Sequence, residues 1–108
     1  MIAVIFEAIV ASGRKQDYLD MAAKIREELA GLDGFLSIER FQSLADPDKI
    51  LSLSIWRDEA AVAAWRANSN HQAAQHLGRA GAFSDYRLRV AAVIRDYGLN
   101  DRAQAPTD

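Results

Sequence analysis

Glu7 is the residue whose type and surroundings point most directly to chemistry. It is the one charged side chain among the first ten residues, which are otherwise apolar. It shares its strand parity with Ile5 and Ile9, and we expect that parity to face the helices of the fold. A carboxylate buried without a compensating charge can exchange a proton with a phenolic substrate. The alternative is a structural ion pair with Arg87 or Arg89.

The two histidines, His71 and His76, are the other groups able to act as a base or a metal ligand. At about 100° per residue, His76 lies within ~60° of Ala73 on a helix, whereas His71 lies ~160° from it. Ala73 and Leu77 belong to the apolar arc, so we expect His76 to face the interior. His76 is therefore a candidate ligand or base, and a hydrogen-bonded packing residue is the alternative. The opposed directions argue against a two-histidine metal site.

Aromatic residues and one arginine complete the candidate set. Trp65 lies on a helix face with small neighbours, which leave room either for a flat ligand or for tight packing. Phe83 and Tyr86 flank the start of the last apolar run, where a phenol can orient a substrate or simply pack. Arg87 can bind an acidic group of a substrate, bridge two subunits or lie on a solvated strand face.

Apolar periodicity predicts the elements that must position these residues. The pattern predicts a strand over residues 2–10, a helix over 14–30, a strand over 35–41, a strand over 50–56, a helix after the cap Asp58 and a strand over 86–94. This βαββαβ order predicts an α+β, ferredoxin-like fold with an antiparallel sheet.

The second helix and the C-terminus carry two further signals. The helical pattern restarts at Ser69 with Gln72 three residues later, so we expect a kink and a second helical piece to about Leu77. The polar residues 99–108 are typical of a disordered tail. We therefore expect one domain over residues 1–98, followed by that tail.

Composition excludes several classes of function. The chain has 108 residues, a net charge of −2 and no cysteine, which excludes disulfides and thiolate sites. The interspersed charges form no basic stripe for nucleic acid, and no apolar run approaches the roughly 20 residues of a membrane span. The chain start lacks the basic region of a signal peptide, so we expect a cytoplasmic protein. The paired glycines are typical of helix ends and lack the strand-to-helix context of a nucleotide site.

The first strand is apolar on both of its faces. Ile2, Val4 and Phe6 point one way while Ala3 and Ile5 point the other. Two helices cover only one face of such a sheet. An exposed apolar patch usually marks an interaction surface. We therefore expect a homodimer that forms through the uncovered sheet face.

Five segments together carry a family resemblance. They are the opening strand, Leu32-Asp33-Gly34-Phe35-Leu36-Ser37, Ser54-Ile55-Trp56-Arg57-Asp58-Glu59, Ala64-Trp65-Arg66 and Asn70-His71-Gln72-Ala73-Ala74-Gln75-His76. With these segments the chain resembles the antibiotic biosynthesis monooxygenase (ABM) superfamily, including its haem-degrading branch. The resemblance implies a dimeric α+β barrel with a small-molecule pocket between sheet and helices.

The haem-degrading members use a strand asparagine, a helix tryptophan and a helix histidine that binds the iron. Trp65 matches the tryptophan, and His76 lies one residue beyond the expected histidine. Glu7 occupies the asparagine position, where a carboxylate adds negative charge beside an anionic cofactor. The resemblance therefore implies a monooxygenase-like pocket more directly than it implies haem chemistry.

These observations predict a monooxygenase that oxygenates a small aromatic or polyketide-like compound without a cofactor. The predicted catalytic residues are Glu7, Trp65 and His76, and the predicted substrate-binding residues are Tyr86, Phe83 and Arg87. No metal is expected unless His76 binds haem. One alternative is a haem-binding or haem-degrading monooxygenase, and another is a non-catalytic ligand-binding or stress-related dimer module.

Overall fold

The computed structural model describes residues 1–67 and 81–107. Its elements are β1 (Ile2–Val10), α1 (Lys15–Leu29), β2 (Phe35–Gln42), β3 (Lys49–Trp56), α2 (Glu59–Arg66) and β4 (Phe83–Ala92). The strands form one four-stranded antiparallel sheet in the order β2-β3-β1-β4. The predicted α+β, ferredoxin-like fold is therefore confirmed.

The predicted elements are confirmed with small shifts at their ends. Helix α1 is one residue shorter at each end than the predicted 14–30. Strand β4 begins at Phe83 rather than at Tyr86, because a register irregularity at Ile9 and Val10 lets Phe83 pair with Val10. The predicted kink and the helical piece after it lie outside the described residues.

Strand alternation separates the two faces of the sheet. In β3, Ile50, Ser52, Ser54 and Trp56 are buried, while the residues between them are half-buried. The buried set faces the helices, since Trp56 packs with helix residues of both α1 and α2. The indole Nε1 of Trp56 donates a hydrogen bond to Ser54 Oγ at 2.9 Å, so this buried polar group is satisfied.

Two apolar clusters attach the helices to that face. The first contains Leu29, Trp56, Ala61, Val62 and Trp65, with Ile2 and Val4 of β1 packed against it. The second contains Val10, Tyr18, Ala22 and Ile50, with Phe83 packed against it. The even-numbered residues of β1 therefore face the helices, and its odd-numbered residues face the other way.

Arg57 joins the connection between α1 and β2 to the connection between β3 and α2, and we call this contact the charged junction. Its guanidinium donates to both carboxylate oxygens of Asp33, at 3.0 and 3.1 Å, and to Asp58 at 2.9 Å. The Arg57 backbone N–H donates to the Gly34 carbonyl at 2.8 Å. Gly34 has φ +83°, and an added Cβ would lie 2.5 Å from the Cβ of Ala61, so only glycine fits there.

This junction also shifts the pKa values of its charged groups. Hydrogen bonds from the Arg57 side chain lower the pKa of Asp33. The backbone N–H of Ala61 and then Arg57 lower the pKa of Asp58, whose carboxylate caps α2 as the sequence predicts. The two carboxylates in turn raise the pKa of Arg57 above its ordinary value. Two of the segments that carry the family resemblance, residues 32–37 and 54–59, thus meet in one charged junction.

The opposite side of the sheet carries neither α1 nor α2, and we call it the open face. It consists of the odd-numbered positions of β1 with their partners in the neighbouring strands, including Ile5, Leu51, Leu53 and Ile55. These apolar side chains are half-buried, and Phe41 beside them is exposed. Within residues 1–67 and 81–107, no helix is long and apolar enough to cross a membrane.

Candidate functional site

An aromatic cluster lies on the helix side of β1 and β4. The ring of Phe6 is 5.5 Å from Phe83 and 5.7 Å from Tyr86, between ring centroids. Phe83 is also 5.7 Å from Tyr18 of α1 and 6.3 Å from Tyr86. Tyr18 is buried while Tyr86 is exposed, so the cluster runs from the core to solvent. A surface lined by aromatic rings can bind a flat, apolar ligand.

Three large side chains of β4 extend this surface, and we call them the β4 strip. Tyr86, Leu88 and Val90 are 57%, 48% and 47% exposed. They pair with Ala8, Phe6 and Val4 of β1, which places them on the helix side of the sheet. Because β4 is an edge strand, the described helices leave this strip uncovered. An exposed apolar strip beside an aromatic cluster is a candidate binding surface.

Trp65 lies on the same side of the sheet as the β4 strip. It is buried in α2 and packs in the cluster against which Ile2 and Val4 rest. Val4 pairs with Val90 of the strip, so Trp65 and the aromatic cluster border one continuous surface of β1. The sequence predicts Trp65 as a catalytic residue and Phe83 and Tyr86 as substrate-binding residues, and all three lie on the helix side of the sheet.

Glu7 lies on the open face, and the prediction that it faces the helices is wrong. Its neighbours Phe6 and Ala8 take the helix side, so strand alternation turns Glu7 away from Trp65. The Glu7 carboxylate lies 3.7 Å from Lys49 Nζ and 3.7 Å from Arg89 Nη1. The described structure therefore supports the ion-pair interpretation, and Glu7 does not share a pocket with Trp65.

Arg87, the third predicted substrate-binding residue, lies on the open face and not beside Tyr86 and Phe83. Consecutive residues of a strand point to opposite faces, so Tyr86 and Arg87 cannot line one surface. Arg87 stands opposite Glu7 in the β1–β4 register. Among the described residues, Arg89 rather than Arg87 contacts the Glu7 carboxylate.

His76 lies outside the described residues, so its predicted role stays a prediction. Sequence reasoning missed Phe6, whose ring joins Phe83 and Tyr86. Phe6 visibly shares its parity with Val4 and Val10, but the sequence does not show that this parity faces the helices, and Phe83 lies 77 residues after Phe6 in the chain. Only the sheet register brings these rings together.

The sheet also contributes polar groups to its helix side. Ser52 and Ser54 are buried there, and Arg40 pairs with Ser52 across β2 and β3. The Nε atom of Arg40 is buried and finds no hydrogen-bond partner within the described parts of the chain. Tyr86 of the β4 strip is exposed and carries a hydroxyl that can orient an oxygen of a bound molecule.

Comparison with known proteins places this geometry in a family. The sequence model of antibiotic biosynthesis monooxygenases matches residues 1–77. Jasmonate monooxygenase ABM of Pyricularia oryzae is 42% identical over 107 residues, which cover 99% of this chain and 50% of that protein. The protein YqjZ of Bacillus subtilis is 34% identical over 94 residues, which cover 86% of this chain and 79% of that protein. The chain thus spans half the length of the jasmonate monooxygenase.

A solved structure shows the same fold. The N63A mutant of SnoaB, a cofactor-independent oxygenase from Streptomyces nogalater, superposes with a TM-score of 0.76 at 13% identity. The match covers 88% of this chain and 94% of that one. The family model, the YqjZ relationship and the shared fold agree with one another. The chain belongs to the antibiotic biosynthesis monooxygenase family.

Proposed function

We propose that this protein is an ABM-type monooxygenase that oxygenates a small aromatic or polyketide-like compound. The observation that carries the proposal is the aromatic cluster of Phe6, Tyr18, Phe83 and Tyr86, which continues into the exposed β4 strip. A flat substrate would stack on Phe6 and Phe83 and bury the strip. The Tyr86 hydroxyl would donate a hydrogen bond to a substrate oxygen and fix its orientation.

We propose that the reaction needs no cofactor, as in SnoaB, which is a cofactor-independent oxygenase. An activated methylene such as that of a hydroxyanthrone can lose a proton to form a carbanion that O2 itself oxidises. The methylene becomes a carbonyl, one oxygen atom enters the product, and the other leaves as water with both methylene hydrogens. This balance requires no external reductant. His76 is the proposed proton acceptor, since Glu7 is held by Lys49 and Arg89 on the other face.

We further propose that two copies pair through their open faces. The half-buried Ile5, Leu51, Leu53 and Ile55 form an apolar surface that neither α1 nor α2 covers. The jasmonate monooxygenase offers a second argument, because 107 matched residues make up 50% of that protein and leave a segment of equal length. That length would accommodate a second domain of this size in one chain. A cytoplasmic location remains the expectation from the sequence.

Oxygen uptake with a panel of hydroxyanthrone-type phenols tests the proposed activity. We expect turnover by the wild type and a kcat/KM lowered about threefold to tenfold in Tyr86→Phe, because one hydrogen bond is lost. Tyr97→Phe is the matched control, since that tyrosine lies beyond β4 and away from the aromatic cluster. Inactivity of the wild type across the panel would contradict this substrate class.

The name of the Pyricularia relative makes jasmonate the second substrate to assay. Hydroxylation of an unactivated carbon by O2 consumes two electrons from a donor, so a reduced nicotinamide or flavin is supplied in that assay.

A haemin titration tests whether the protein binds haem. A saturable Soret band at one haem per subunit would contradict cofactor independence, and its loss in His76→Ala would identify the ligand.

A further inference from the structure

Arg40 of β2 is a half-buried arginine that makes no ion pair within residues 1–67 and 81–107. Its Nε atom is buried and finds no hydrogen-bond partner in that part of the chain. Arg14, Arg57 and Arg89, by contrast, each lie within ion-pair distance of a carboxylate. Removing a guanidinium from water without an anion beside it costs free energy. The position of Arg40 therefore favours an anion that the described chain does not supply.

Arg40 lies in the same row of the sheet as the aromatic cluster. It pairs with Ser52 of β3, and Ser52 pairs with Phe6 of β1. Phe6 in turn pairs with Leu88 of the β4 strip. Ser52 is buried on the helix side, and side chains directly opposite one another share a face. With strands about 4.8 Å apart, the Cα atoms of Arg40 and Phe6 are about 10 Å apart. The row thus leads from a cation to the aromatic cluster.

This row passes between the two apolar clusters of the helix side. Ile50 of β3 packs with Tyr18 in one cluster, and Trp56 of β3 packs with Trp65 in the other. Ser52 lies between Ile50 and Trp56 along the strand and belongs to neither cluster. A serine is smaller than the residues that flank it and carries a hydroxyl. The helix side of β3 is therefore polar between its two apolar ends.

We infer that Arg40 binds a carboxylate of the substrate, so that the substrate is a small aromatic or polyketide-like acid. The inference rests on the proposed function and deepens it, because it names the charged group of the substrate and the residue that binds it. The carboxylate accepts hydrogen bonds from the Arg40 guanidinium and the Ser52 hydroxyl. The rings stack on Phe6 and extend to the β4 strip. Arg40 thereby determines which end of the substrate lies at β2.

The charge at this position selects a carboxylate over a phosphate. The other charged residue of β2 is Glu39, which strand alternation places on the open face. A single guanidinium balances one negative charge, whereas a phosphate monoester carries up to two. The planar guanidinium also matches the two oxygens of a carboxylate with two parallel hydrogen bonds. A monoanionic acid therefore fits this position.

The first test compares an acid with its neutral amide by isothermal titration calorimetry. We expect wild-type protein to bind naphthaleneacetate with a Kd about tenfold or more below that of naphthaleneacetamide, because a charge-assisted hydrogen bond is gained. Equal Kd values for the two compounds would overturn the inference without any variant.

The second test removes the guanidinium. Arg40→Gln should raise the Kd of the acid about tenfold and leave the Kd of the amide within about twofold. Arg26→Gln removes the same charge from an exposed position in the last turn of α1 and should change neither Kd. An acid preference that persists in Arg40→Gln would overturn the inference.

A purely structural role for Arg40 predicts a different result. Because its Nε atom has no partner in the described residues, Arg40→Gln without ligand should keep the urea midpoint of the wild type or exceed it. Arg40→Lys keeps the charge and should retain part of the acid preference. A lowered midpoint together with equally weakened binding of both compounds would overturn the inference.

Phe6→Leu separates the carboxylate contact from the proposed function. This variant should raise the Kd of both compounds and keep their ratio, since it removes a ring and leaves Arg40 in place. A wild type that binds neither compound contradicts the aromatic surface and the carboxylate contact together. A wild type that binds both equally contradicts the carboxylate contact alone. Oxygen uptake is scored separately, so an inactive protein that prefers the acid contradicts the proposed activity and supports the carboxylate contact.

Discussion

At the scale of single residues, the strongest constraint lies at Gly34. Its φ of +83° belongs to the region that disfavours residues with a Cβ, and the added atom would meet Ala61 Cβ at 2.5 Å. We expect Gly34→Ala to lower the free energy of unfolding by about 1–3 kcal/mol. Gly31→Ala is the control, since its added Cβ meets nothing within 4 Å. Equal urea midpoints for the two variants would contradict this reading of the junction.

The charged junction makes a prediction about pH. The pKa of Asp33 is lowered from 3.8 by the hydrogen bonds from Arg57, so its stabilisation is present above the unfolded pKa and is lost as pH falls through the folded one. Asp33→Asn should therefore be less stable than the wild type at pH 7, and the difference should vanish in acid below that range. Urea unfolding from pH 7 to pH 2 measures this. In an Arg57→Gln background, Asp33→Asn should have little further effect.

At the scale of elements, strand alternation explains both what the sequence predicted and what it missed. In β3, serines alternate with leucines, so the pattern itself separates two faces. In β1 both parities are apolar, and nothing in the local pattern tells which one meets the helices. Glu7 was therefore predicted on the wrong face. Only the packing of α1 and α2 shows which parity of β1 faces the helices. In β4 the alternation is clear, and it places Tyr86 and Arg87 on opposite faces although both are predicted to bind substrate.

Two adjacent residues of β4 test this assignment of faces. Leu88 lies in the β4 strip and Arg89 contacts Glu7 on the open face. We expect Leu88→Ser to raise KM for a substrate several-fold by removing apolar contact, about 1–2 kcal/mol, with an unchanged dimer Kd. Arg89→Ser should instead change the dimer Kd and leave KM within about twofold. Steady-state kinetics measure KM and ultracentrifugation measures the dimer Kd of both variants. If Leu88→Ser changed the dimer Kd and Arg89→Ser changed KM, the assignment of these residues to the two faces would be reversed.

At the scale of the whole molecule, residues 1–67 and 81–107 leave apolar surface on both sides of the sheet, at the open face and at the β4 strip. The proposals give each surface a different occupant. A second copy would cover the open face, while substrate would cover the strip. The proposals therefore place the catalytic surface and the dimer surface on opposite faces of one sheet. Substrate binding and dimerisation should therefore each be open to disruption by substitutions that leave the other unchanged.

The open face therefore carries the last prediction. Leu53 is half-buried at the centre of that face, opposite Ile5. Leu53→Asp would place a carboxylate in an apolar interface and should convert the dimer to a monomer by light scattering at micromolar concentration. The wild-type Tm should rise with protein concentration, because only the folded state binds a partner, whereas the variant Tm should not. Leu19→Asp, at an exposed leucine of α1, is the control. A Leu53→Asp protein that keeps the mass of the wild-type dimer would show that the copies meet through another surface.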